Sequence, residues 1–262
     1  MSRFYDCTGE AGAQRADGIH DAASAVRRGE VVVLPTDTVY GIGVDAFSPD
    51  AVNALLNAKG RGRDAPPPVL VGSVRAAQAL VEDLGEQGRS LIDAFWPGPL
   101  TVVCGARPSL SWDLGDTKGT VAVRMPMHPL ALELLREVGP MAVSSANRTA
   151  QTPALTAEQA RQQLGESVAV YLEGGECAEA TPSTIVDLTY RVPRILRLGA
   201  ISVERIRAVC GTVLDPAEPG ADTGGSEGGA DPAEEHTTES ATGPDPQGDS
   251  TATGEGSSGR PG

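Results

Sequence analysis

No aromatic residue, Ile, Leu or Met follows Leu214. From Asp215 onward the chain is almost entirely Gly, Ala, Ser, Thr, Pro, Asp and Glu. It carries 11 acidic residues there against one basic residue, Arg260, a net charge of −10. Such a segment cannot bury enough apolar surface to offset the entropy lost on ordering. Residues 215–262 are therefore expected to be a disordered acidic tail, and residues 1–214 the folding domain, long enough for a sizeable single core. The whole-chain charge of −14 leaves only −4 for the first 214 residues. The acidity of the chain thus says little about what the folded part binds. The tail reads as a linker with no specific role in preference to an interaction or solubility segment.

Other classes are quickly bounded. Cys7, Cys104, Cys177 and Cys210 are scattered, with no CxxC and no metal-type spacing, so buried reduced thiols are expected rather than disulfides or a metal site. No apolar run approaches the ~20 residues of a membrane span. The first residues, MSRFYDCTGEAGAQ, lack the apolar core of a signal peptide. A cytoplasmic location without membrane contact is the expectation.

Along the chain, helices and strands interleave. Residues 1–16 read as polar and peripheral, and 17–28 as a helix stopped by Gly29. Val31–Leu34 is a β-branched apolar run ended by Pro35, as a buried strand would be. Ser48 as N-cap and Pro49 at the first helical position open a helix that runs to Lys59. Further strands are expected at 69–71, 100–104, 120–124, 141–144, 168–172, 184–188 and 195–198. Further helices are expected at 73–84, 87–95, 129–139, 156–164 and 202–209. The pattern implies an α/β domain with a twisted mixed sheet and helices on its faces. The 105–119 stretch is a long loop, a length often tied to binding.

Four groups carry chemistry, each at or after a strand end, where α/β folds gather ligands. The first is Thr36, Thr38 and Tyr40 with Lys59 and Arg61. The second is TVAVR, from Thr120 to Arg124. The third is Ser144-Ser145-Ala146-Asn147. The fourth is Ser183 to Asp187, with Arg197 fourteen residues after Ser183. Each has a plainer reading. Cations at a helix C-terminus complement its dipole by ~0.3–1 kcal/mol, Thr favours strands, and Ser and Asn favour turns. No Walker loop is present, and GIGVDA lacks the third glycine of a dinucleotide fingerprint. No hydrolase or zincin motif appears either.

PTDTVYGIG followed by KGR, then TVAVR, SSAN and STIVD in that order, resembles the YrdC/TsaC family of L-threonylcarbamoyladenylate synthases, over roughly residues 17–210. The resemblance implies a single open domain whose twisted mixed sheet walls a concave cavity, of the short, single-domain type. It implies the reaction of L-threonine, bicarbonate or CO2, and ATP to threonylcarbamoyl-AMP and pyrophosphate. That product supplies the t6A modification of tRNAs reading ANN codons through a downstream transfer machinery. Residue by residue, it implies Thr38, Arg124, Val143 and Ser183 around L-threonine. Lys59 and Arg61 match the catalytic cations on the phosphates, and Thr120, Ser145, Asn147 and Arg197 match nucleotide-side positions. Mg2+ would be held largely by the ATP phosphates rather than by protein ligands.

The match departs in places. Ala65 stands where the family has Lys or Asn, and Leu70 where some members carry a histidine. SANRTA replaces SANxSG, and Arg197-Leu198-Gly199 replaces RPG. The alternative function is an RNA-binding module of the same fold, contacting tRNA or double-stranded RNA without synthase activity. Few aromatics and no basic stripe argue against that alternative.

Overall fold

The computed structural model describes residues 1–9, 13–177 and 181–216. Beyond residue 216 the tail expected to be disordered lies outside the described residues. In chain order the strands are β1 (Arg3–Asp6), β2 (Val32–Leu34), β3 (Gly41–Asp45), β4 (Val69–Leu70), β5 (Leu100–Gly105), β6 (Thr120–Arg124), β7 (Met141–Ser145), β8 (Val170–Glu173), β9 (Thr184–Asp187) and β10 (Arg194–Arg197). The helices are α1 (Ala13–Arg27), α2 (Pro49–Lys59), α3 (Val74–Leu80), α4 (Gly85–Phe95), α5 (Pro129–Val138), α6 (Ala157–Leu164) and α7 (Val203–Cys210).

All ten strands join one sheet in the order β1-β8-β2-β3-β7-β4-β6-β5-β9-β10. Parallel pairs (β1 with β8, β2 with β8, β4 with β6, β5 with β9) mix with antiparallel ones. The fold is thus the α/β domain with a mixed sheet that the interleaved strands and helices imply.

Apolar residues divide between the two faces with the strand period of two. On β2, Val33 joins one core with Tyr40, Ile42, Leu55 and Trp96. Its neighbours Val32 and Leu34 join a second core with Ala22, Val26, Leu130 and Leu134 of α1 and α5. Leu55 and Leu134 are fully buried, each contributing about 1.5–3 kcal/mol relative to exposure.

The helix that delivers the first cation group is closed by its own sequence. The Ser48 hydroxyl accepts from the Ala51 N–H at 3.3 Å. At the other end Gly60 takes the left-handed conformation, φ 63°, which glycine adopts without a Cβ clash. The Gly60 and Arg61 N–H groups then turn back onto the carbonyls of Asn57 and Leu56, a helix stop of the Schellman kind. Lys59 therefore ends the helix, and Arg61 follows one turn residue later.

Two strands escaped the sequence reading. β1 lies within the region expected to be merely peripheral. It is an edge strand with largely exposed side chains, so no alternation marks it. β3, Gly-Ile-Gly-Val-Asp, is nearly all buried, and its glycines resemble a turn. They sit there because a Cβ on Gly41 would lie 2.6 Å from Cγ1 of Val143. α1 starts at Ala13 rather than 17, and the expected helix to Leu84 stops at Leu80, with α4 beginning at Gly85.

Candidate active site

A cavity of about 430 Å3 opens against the middle of the sheet, within the usual size range for small-molecule sites. Its wall includes Thr36, Thr38, Tyr40, Arg61, Thr101, Arg124, Val143, Ser144, Ser145, Ser183 and Arg197. These come from the β2–β3 connection, the end of α2, strands β5, β6, β7 and β10, and the residue before β9. Among the described residues the wall holds three guanidiniums and no carboxylate.

Arg124 is 6% exposed. Its Nε donates to the Gly98 carbonyl at 3.0 Å, Nη1 to the Thr38 hydroxyl at 3.0 Å, and Nη2 to Asp37 Oδ1 at 2.7 Å. Burial lowers its pKa from the ordinary arginine value, with Asp37 acting in the opposite sense. Asp37 Oδ1 also accepts from the Met127 N–H at 2.8 Å, whereas Oδ2 is buried with no hydrogen-bond partner. The Thr36 and Thr38 hydroxyls lie 3.1 Å apart, and Thr36 donates to the Val39 carbonyl at 2.6 Å.

On the far wall, Arg197 donates to the Ser183 carbonyl from Nε at 3.1 Å and from Nη2 at 2.8 Å, and to the Ser183 hydroxyl at 3.0 Å. The same hydroxyl lies 2.9 Å from that of Thr101. Burial and the neighbouring charge of Arg124 lower the Arg197 pKa. Between these walls, Arg61 reaches the Ser144 hydroxyl at 3.3 Å from Nη1.

Of the residues singled out in the sequence, Thr38, Arg61, Arg124, Val143, Ser145, Ser183 and Arg197 meet around this one cavity. Lys59, Thr120 and Asn147 do not line it. Lys59 is 3% exposed. Its ammonium donates to the carbonyl of Ser145 and, at 2.8 Å, to that of Asn147, so it braces the turn behind the wall. Burial first, and then Arg61, lowers its pKa to about 8. Asn147 donates from Nδ2 to the carbonyls of Arg148 and Gln151, both at 2.8 Å, and its Oδ1 is buried without a partner. Thr120 shares the strand face of Ala122 and Arg124 by the period of two, but sits at the outer end of β6, bonded to the Thr117 carbonyl at 2.8 Å.

Two residues of the site had no role in the sequence reading. Thr101 looked like an ordinary strand threonine; its signal is that it shares a face with Val103, which also lines the cavity. Asp37 was visible at the strand end, but its partner on β6 is 87 residues away. His128 caps α5, its Nδ1 accepting from the Leu130 N–H at 3.3 Å.

Among the described residues no group of His, Cys, Asp or Glu could hold a metal ion. The wall hydroxyls of Thr36, Thr38, Thr101, Ser144 and Ser183 are already hydrogen-bonded within the chain. No helix of the described residues is long and apolar enough to cross a membrane.

The Sua5/YciO/YrdC family model, described as "Telomere recombination", matches residues 24–199. A Mycobacterium tuberculosis (strain H37Rv) protein provisionally named a threonylcarbamoyl-AMP synthase is 56% identical over 211 residues, covering 80% of this chain and 96% of that protein. The threonylcarbamoyl-AMP synthase of Bacillus subtilis (strain 168) is 37% identical, over 80% of this chain and 61% of its own length. The crystal structure of Pyrococcus abyssi Sua5 complexed with L-threonine superposes with a TM-score of 0.75 at 31% identity. That match covers 82% of this chain, which spans 62% of the Sua5 chain.

Proposed function

The chain belongs to the Sua5/YciO/YrdC family, and from that premise we propose that it is an enzyme, an L-threonylcarbamoyladenylate synthase of the nucleotidyltransferase class. One observation carries the reading: three guanidiniums, from Arg61, Arg124 and Arg197, converge with threonine and serine hydroxyls on a cavity whose described residues include no carboxylate. That wall suits ligands with two separate anionic parts, a carboxylate and a triphosphate. The names of the relatives and the threonine-bound Sua5 favour this reading over an RNA-binding module.

The reaction joins three substrates. The neutral amine of L-threonine adds to CO2, forming a C–N bond and releasing a proton; with bicarbonate the same N-carboxy product forms with loss of water. A carbamate oxygen then attacks the α-phosphorus of ATP. The bond to the bridging oxygen breaks, and pyrophosphate leaves with the electron pair. No protein nucleophile is needed, so positioning and charge stabilisation dominate.

In this scheme Arg124 takes the threonine carboxylate with its remaining N–H groups, and Thr38, Ser183 and the Val143 backbone complete that side. Arg61 meets the phosphates, and Ser145 and Arg197 face the nucleotide. Lys59 acts one layer back, fixing the Ser145–Asn147 turn, with Asn147 and Thr120 supporting the same side. Because the described residues of the wall include no carboxylate, they do not fit a protein-built metal site; Mg2+ would arrive on the triphosphate oxygens. The product would pass to a downstream t6A transfer machinery acting on tRNA, which implies the cytoplasm.

The test is pyrophosphate release from ATP, Mg2+ and bicarbonate with L-threonine, L-serine or no amino acid. Release that depends on L-threonine supports the synthase. Salt-sensitive RNA binding without threonine-dependent release supports the module instead.

A further inference from the structure

Asp37 is, among the described residues, the carboxylate paired with Arg124, yet it does not line the cavity itself. Its side chain is 10% exposed, against 8% for that of Arg124. Through Oδ1 alone it joins three segments: its own loop after β2, the Arg124 guanidinium on β6, and the Met127 N–H ahead of α5. Buried carboxylate oxygens are normally hydrogen-bonded, and an unpartnered one is costly. Oδ2 has no partner, so the sequence keeps this group for what Oδ1 does.

Arginine has five N–H donors in a rigid plane. Three of those on Arg124 are held, by Gly98, Asp37 and Thr38. One N–H remains on each terminal nitrogen, enough for two bonds to a carboxylate. A guanidinium pinned at three points before the ligand arrives loses little freedom on binding.

We propose that Asp37 is a positioning residue, which sets the plane of Arg124 so that its two spare N–H groups face an amino-acid carboxylate. The inference rests on the synthase reading. Position is what matters, not charge, because both bonds of Asp37 run through one oxygen. Asp37→Asn keeps that oxygen and puts the amide nitrogen where Oδ2 has nothing to lose. Asp37→Glu keeps the charge but moves the carboxylate by one methylene, and misplacement of about 1 Å is enough to lower rates or affinity by large factors.

The experiment measures apparent KM for L-threonine and for ATP, with kcat, in wild type, D37N and D37E, alongside thermal melting. Wild type without threonine-dependent pyrophosphate release would fail the synthase reading itself. Given wild-type activity, the expected result is a threonine KM raised at least about fivefold in D37E and within about threefold of wild type in D37N, with the KM for ATP little changed in both. Three results would overturn the inference. D37E could bind threonine like wild type while D37N fails, or neither could change it. The KM values for threonine and ATP could also rise together in step with lost thermal stability.

Discussion

The Thr101 hydroxyl lies 2.9 Å from that of Ser183, tying β5 to the start of β9 at the cavity wall. Ser183 is gripped from the other side by Arg197. Replacing Thr101 by Val keeps the shape of a fully buried side chain and deletes one hydrogen bond. A buried bond of this kind contributes about 0.5–1.5 kcal/mol. Thr101→Val is expected to raise the threonine KM by about three- to tenfold in steady-state kinetics. An unchanged KM would mean that Arg197 holds Ser183 alone.

On the proposed reading, the cavity cations should divide by substrate. Arg124→Ala should raise the threonine KM at least about tenfold, with ATP binding by calorimetry little altered. Arg61→Ala should lower threonine-dependent pyrophosphate release at least about tenfold, equivalent to ~1.4 kcal/mol of barrier. If Arg124→Ala weakened ATP and left threonine untouched, the two sides of the cavity would have to be exchanged.

Lys59 is expected to give the site a pH dependence. Burial, then Arg61, lowers its pKa to about 8. The ammonium that braces Ser145 and Asn147 is charged below that value and neutral above it. kcat should therefore fall as pH rises through about 8, and Lys59→Arg should remove this limb, since a guanidinium keeps its proton. Stability runs the other way. Between about 8 and the unfolded lysine value of about 10.4, the unfolded chain binds the extra proton, so this group's contribution to stability rises with pH. A kcat profile flat across this range would remove Lys59's charge from the account.

Gly41 and Val143 should be coupled in stability. A Cβ on Gly41 would press on Cγ1 of Val143 at 2.6 Å, and overpacking of this kind costs about 1–3 kcal/mol. Val143→Ala removes the obstacle. Urea unfolding of the two single variants and the double variant should show the double more stable than the sum of the singles by about 1 kcal/mol. Simple additivity would mean that the strands move apart instead.

Much of the frame was legible because its signals are local. Ser48, Pro49 and Gly60 bound α2 within a few residues of one another, and Val31–Leu34 announces β2 by composition. β3 was missed because two glycines demanded by Val143, on a strand far along the chain, erase its apolar alternation. β1 was missed because an exposed edge strand has no buried face to show. The site followed the same divide. Thr38, Arg61, Arg124, Ser183 and Arg197 could be picked out as groups at strand ends. Their convergence comes from a strand order that puts β7, β4, β6, β5 and β9 side by side, which no local pattern encodes. Lys59 looked like a phosphate contact from its place beside Arg61. Only the packing of the SAN turn shows two carbonyls around its ammonium.

The central claim is that this cavity joins an amino-acid carbamate to the adenylyl group of ATP. It is tested most directly by incubating the protein with [13C]bicarbonate, L-threonine, ATP and Mg2+ and analysing the products by mass. A compound with the mass of threonylcarbamoyl-AMP, raised by the 13C label, is expected, and it should be lost when threonine is omitted and in Arg124→Ala. Pyrophosphate formed without label entering any adenylate, or labelled product formed equally well without Arg124, would contradict it.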